Sequence, residues 1–82
     1  MPTGYFLLNV ELNQELNVIN KIKSILQTED SITFDIQGVF GIYDIILRIT
    51  SETDDALRNL ALEKVKSIEK IKSIVTMMVN EA

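Results

Sequence analysis

An α+β domain, with two helices laid on one face of a four-stranded antiparallel sheet, is what this sequence predicts, and three observations predict it. Apolar residues alternate at period two in four separate stretches. Two intervening stretches carry them at helical spacing instead. The resulting order is strand, helix, strand, strand, helix, strand. The 82 residues fit a single domain spanning 1-82, and a hydrophobic content of 46% marks a packed core rather than a disordered chain.

The first stretch, Gly4 to Leu12 (GYFLLNVEL), sets Phe6, Leu8, Val10 and Leu12 on one face and Tyr5, Leu7, Asn9 and Glu11 on the other. Asn13 then stands where a helix cap is wanted, and Leu16, Ile19, Ile22, Ile25 and Leu26 recur at helical spacing to about Gln27. After polar Thr28 to Ser31, the run SITFDIQGVF alternates Ile32, Phe34 and Ile36 against Thr33, Asp35 and Gln37. Gly41 marks a tight connection or a bulge. Ile42 to Thr50 (IYDIILRIT) follows as a third strand, with Tyr43, Ile45, Leu47 and Ile49 opposed to Asp44, Ile46, Arg48 and Thr50. Ser51 or Thr53 caps a second helix whose first turn holds Asp54 and Asp55, acids that suit the positive end of the helix dipole. Its apolar stripe is Leu57, Leu60, Ala61, Val65 and Ile68. The last strand runs from about Lys72 to Asn80, with Val75, Met77 and Val79 against Ile74, Thr76 and Met78.

The two halves echo one another: KIKSIL (Lys21 to Leu26) ends the first helix and KVKSIE (Lys64 to Glu69) the second. A third copy, KIKSIV (Lys70 to Val75), straddles the entry to the last strand, so context overrides the shared letters. A βαββαβ chain of this size reads as the ferredoxin-like split βαβ arrangement. That layout leaves one sheet face uncovered. Neither face of the strands reads as polar, so the open face is expected to pack on a second copy in a dimer.

Composition excludes much chemistry. With no cysteine and no histidine there are no disulfides, no imidazole acid or base and no usual transition-metal ligands, and no cofactor or metal site is implied. Twelve acids against eight bases give a net charge of −4, which repels phosphate backbones and argues against nucleic-acid binding. Lys64, Lys66, Lys70 and Lys72 alternate with Glu63 and Glu69, as a solvated face does. No apolar run approaches the roughly 20 residues of a bilayer span, and the N-terminus lacks a signal-peptide pattern, so a soluble cytoplasmic protein with no membrane partner is expected. Asp44 with Asp54 or Asp55 could form a carboxylate pair, but no nucleophile accompanies them and an enzyme is not expected. Gln37-Gly38-Val39-Phe40 resembles the Val-Gln-Gly-Val-x-Phe-Arg loop of acylphosphatases, yet it ends the second strand rather than the first, and Gly41 occupies the place of the phosphate-binding arginine.

A closer likeness is carried by Gly41-Ile42-Tyr43-Asp44-Ile45, by the acidic helix start after it, and by Ile71-Lys72-Ser73-Ile74-Val75-Thr76-Met77-Met78-Val79. In order and spacing, from about Tyr5 to Asn80, these resemble the effector-binding (RAM) domain of the Lrp/AsnC regulators. The resemblance implies a face-to-face homodimer that assembles into a larger ring, with a small-molecule effector, typically an amino acid, bound between dimers. It implies that Gly41, Tyr43 and Asp44 hold the ligand, with Asp44 suited to the ammonium, and that Thr76 donates to the ligand carboxylate. Asp54 and Met78 match positions to which the family's effector response is sensitive. Ile74 occupies the first hydroxyl position of the family's Thr-x-Thr pattern, so one donor is missing. Met1-Pro2-Thr3-Gly4 leads directly into the first strand where family regulators carry a helix-turn-helix segment. A stand-alone sensor is therefore expected, one that modulates transcriptional or metabolic regulation without reading DNA, on its own or joined to a full-length Lrp/AsnC regulator. The alternative is a structural interaction module with a vestigial pocket. Plainer roles stand beside these: a core aromatic for Tyr43, a β-branched strand residue for Thr76, a turn residue for Gly41, and for Asp44 a carboxylate that meets Arg48, a lysine or turn amides.

Overall fold

β1 (Thr3–Val10) and β3 (Ile45–Thr50) form the middle of the sheet, where their inward apolar residues are buried, whereas β2 (Thr33–Gly38) and β4 (Ile71–Met78) sit at the edges and are at most half-buried. In the computed structural model, which describes residues 2–79 but not the side chains of 61 and 62, the strand order is β2-β3-β1-β4 with every neighbouring pair antiparallel. α1 (Glu15–Leu26) connects β1 to β2, and α2 (Asp54–Asn59), continued by a π-helical segment (Leu60–Val65), connects β3 to β4. Both crossovers lie on one face, which gives the ferredoxin-like layout.

The core is the contact between those helices and the inward sheet face. Phe6 and Leu8 of β1, and Ile45, Leu47 and Ile49 of β3, are buried together with Val18, Ile22 and Leu26 of α1 and Leu57, Leu60, Val65 and Ile68 of the second crossover. Gly4 belongs to this face. A Cβ there would stand 3.2 Å from Leu57 Cδ2 and 3.3 Å from Met78 Sδ, so those side chains would have to give by a few tenths of an ångström.

Several element boundaries differ from the pattern reading, each for a local reason. β1 ends at Val10 rather than Leu12, because its register with β4 shifts between Asn9 and Val10 and the Gln14 amide closes a turn onto the Glu11 carbonyl. Leu12 is therefore exposed. Asn13 does not cap α1. It takes a left-handed φ of 64° inside that turn, a conformation asparagine tolerates, and Gln14 holds the cap position without a side-chain cap bond. The helix is consequently phased so that Val18 is buried and Leu16 is 69% exposed, the reverse of the expected stripe at those two positions. β2 stops at Gly38, and β3 starts at Ile45 rather than Ile42. Thr53, not Ser51, caps α2: its side-chain oxygen accepts from the Ala56 amide at 3.1 Å. Ser51 is buried instead, donating its amide to the Pro2 carbonyl at 3.0 Å. The second helix is not one regular α-helix, since it widens into π geometry at Leu60. β4 begins at Ile71, and the Ala61 side chain and Asn80 lie outside the described residues.

The outward sheet face is mixed rather than apolar throughout. Tyr5, Leu7, Ile46, Val75 and Met77 form an apolar band over β1, β3 and β4, while β2 contributes Thr33, Asp35 and Gln37. Among the described residues no helix is long and apolar enough to cross a membrane.

Candidate functional site

The segment between β2 and β3 is built on two backbone bonds. The Val39 amide donates to the Asp44 carbonyl and the Asp44 amide donates to the Leu8 carbonyl, each at 2.9 Å, so residues 40–43 project past the end of the sheet. Gly41 adopts a φ of +143°, which side chains other than hydrogen rarely allow, and no atom would touch a Cβ there within 4 Å. That turn throws Phe40 and Ile42 into solvent on either side of the glycine, where both are exposed. Leu12 and Leu16 lie exposed at the same end, just beyond Val10.

Asp44 is half-buried at this end and its Oδ2 accepts from the Val10 amide at 2.9 Å. The carboxylate thus satisfies an amide at the point where β1 leaves its regular ladder. Among the described residues its Oδ1 has no hydrogen-bond donor. It does not share a strand face with Arg48, as the alternation suggested. Asp44 precedes β3, and Arg48 faces Tyr5 on one neighbouring strand and Asp35 on the other. Tyr43 is half-buried in the same loop rather than in the strand core.

The remaining expected site residues lie elsewhere. Ile74 faces Leu8 and packs against the core, Thr76 faces Phe6 and is exposed, and Met78 faces Gly4. All three are on the helix side of the edge strand β4. Asp54 is exposed in the first turn of α2, after the end of β3 that pairs with Thr3. Asp44 stands one residue before Ile45, the partner of Leu8, and hence level with Asn9. From that level to Gly4 is five residues along β1, about 17 Å at strand rise, and Thr76 is in addition two strands away. Within one chain β1 separates Gly41, Tyr43 and Asp44 from the β4 residues, of which Ile74 is nearly level with Asp44, Thr76 sits mid-strand and Met78 lies with Asp54 toward the far end.

Two grooves among the described residues involve none of the seven expected site residues. A groove of about 400 Å³ runs between α1 and the connection into β4, and a smaller one of about 210 Å³ lies beside the π-helical segment near Glu29 and Lys64, which form an ion pair. Pattern reading missed the projecting Phe40-Gly41-Ile42 tip. The signal was present in a glycine between two large apolar residues, but it was absorbed into the strand alternation on either side.

No family model and no curated protein matches the sequence. Solved structures do match. FFRP-DM1 is 22% identical, with a TM-score of 0.81 over 98% of this chain and 100% of its own. E. coli AsnC is 20% identical, with a TM-score of 0.78 over 99% of this chain and 52% of its own. The transcriptional regulator NMB0573 of Neisseria meningitidis, solved as a complex with L-Met, is 9% identical, with a TM-score of 0.72 over 98% of this chain and 50% of its own. The chain thus has the fold expected from the resemblance, that of the small protein FFRP-DM1 and of about half of AsnC.

Proposed function

We propose that the chain is a cytoplasmic regulatory domain that binds a small molecule and assembles with copies of itself, and that the molecule is an amino acid. The observation that carries this reading is the division of the expected site. Gly41, Tyr43 and Asp44 lie in the loop before β3, whereas Ile74, Thr76 and Met78 lie beyond β1 on the edge strand β4 and Asp54 at the far end of β3, so a complete site needs the loop of one subunit to meet the β4 side of another. The exposed Phe40 and Ile42 beside that loop give such a contact apolar area to bury. The L-Met complex of NMB0573, a protein of the same fold, supports the ligand class. Ligand and assembly are then thermodynamically linked, because a molecule held between subunits stabilises the interface that forms its site. The domain acts by binding and assembly, with no catalytic step and no DNA contact of its own, and a full-length Lrp/AsnC regulator is a second partner of the same kind.

The test is a thermal-shift series with each common amino acid at millimolar concentration, on the wild type and on Thr76→Val. At least one amino acid is expected to raise the Tm of the wild type and to lose most of that effect in the variant. A flat series overturns the amino-acid assignment.

A second reading rests on the engaged carboxylate. Asp44 already accepts from Val10, and Ile74 packs inward where a hydroxyl is absent, which favours a structural interaction module. Light scattering separates the two: an oligomer indifferent to every amino acid supports the module, and a monomer at micromolar concentration defeats both.

A further inference from the structure

The 400 Å³ groove between α1 and the connection into β4 is lined by none of the seven expected site residues and has its own chemistry. Its volume falls in the range of small-molecule sites. Val18 and Ile25 from α1, and Ile68 from the connection, provide an apolar floor; Val18 and Ile68 are buried. Lys21 and Lys70 stand on its walls, with Glu69 beside them. Among the described residues neither of these lysines has a carboxylate within ion-pairing distance, the ion pair present being Lys64 with Glu29. In a chain of net charge −4 this is a locally cationic groove.

The backbone supplies a second, independent observation. Lys70 has a left-handed φ of 75°, and its carbonyl is held there by the Glu11 amide at 2.9 Å. Glycine adopts that conformation without strain and lysine does not. Strain kept at a position whose side chain lines a cavity is the pattern of a residue used for its head group.

We infer that this groove binds a small aliphatic carboxylate, with its carboxylate between the Lys21 and Lys70 ammonium groups and its apolar chain against Ile25 and the rims of Val18 and Ile68. Glu69 opposes a second negative charge and so selects monocarboxylates. The carboxylate has two sources, a 2-oxo acid or the matching amino acid, whose ammonium would face Glu69.

The experiment is an amide NMR titration of the full chain with 4-methyl-2-oxopentanoate, with leucine and with 3-methylbutan-1-ol, which keeps the branched tail but has no carboxylate. The acid is expected to cause saturable shifts at residues 17–25 and 67–70, and the alcohol to cause none there. Lys21→Ala and Lys70→Gly should each weaken binding about tenfold, the loss of one charge-assisted contact. Lys70→Gly should at the same time keep or raise the Tm, since glycine relieves the left-handed strain. Leucine shifting the groove instead of the oxo acid assigns the amino acid as the source. Shifts confined to residues 39–44 overturn the groove while leaving the inter-subunit site standing. Absence of saturation by either acid, or wild-type binding by Lys70→Gly, also overturns it.

Discussion

The two faces of β1 are made of similar material and end in different environments. Inward, Phe6, Leu8 and Val10 are buried under α1 and the second crossover. Outward, Tyr5 and Leu7 share an uncovered band with Ile46, Val75 and Met77, where Val75 is 39% and Met77 48% exposed. Hydrogen-bonded side chains bound that band along the strands, Asn9 with Ser73 at 3.3 Å and the Thr3 and Thr50 hydroxyls at 2.9 Å. The polar residues of β2 close its far side. Alternation alone does not say which face is core. The helices take one face of the strands, and the other keeps an apolar area displaced toward β4, so a second copy would sit off-centre on the sheet rather than squarely over it.

Adjacent residues on β3 test this contrast most strongly. Leu47→Ala empties a buried inward position and should lower the unfolding free energy by about 3 kcal/mol in urea melts, whereas Ile46→Ala on the outward face should cost less than about 1 kcal/mol in the isolated chain. Equal costs would mean that the outward face is buried in solution by a partner. The double variant Val75→Lys with Met77→Lys should leave the circular dichroism unchanged and shift the mass seen by light scattering to that of a monomer, because two ammonium groups would face an apolar interface. If the variant still dimerises, the interface lies elsewhere. Asp44→Ala leaves the Val10 amide without its acceptor and should cost about 1–2 kcal/mol, showing as a lower urea midpoint with an unchanged slope. Smallest is Thr53→Ala, which removes the cap bond to the Ala56 amide for about 1 kcal/mol, read from the thermal midpoint.

Legibility in the sequence followed the strength of the local signal. The inward faces of β1 and β3 were readable because every second residue is large and apolar, and the pairing of Phe6 with Leu47 and Leu8 with Ile45 follows that alternation. Leu16 and Val18 were not, since both fit an apolar stripe and the choice depends on where the preceding turn releases the helix. Asn13 could have warned of this, as asparagine both caps helices and tolerates a left-handed φ, and only the second use occurs. Among the site residues, Asp44 was recognisable as an acid out of place in an apolar run. Its partner, the Val10 amide, was not, because that bond spans 34 positions in sequence.

The sequence by itself determined the order of strands and helices, the inward faces of β1 and β3, and the absence of thiol and imidazole chemistry. These depend on local periodicity and on which side chains are present. The tertiary structure alone decided that Asp44 closes onto β1 rather than meeting Arg48, that Phe40 and Ile42 project from a glycine turn, that β1 separates the loop residues of the expected site from those on β4, and that Lys21 and Lys70 share a groove. Each depends on which distant segments the strand register brings together, and register is a property of the assembled sheet.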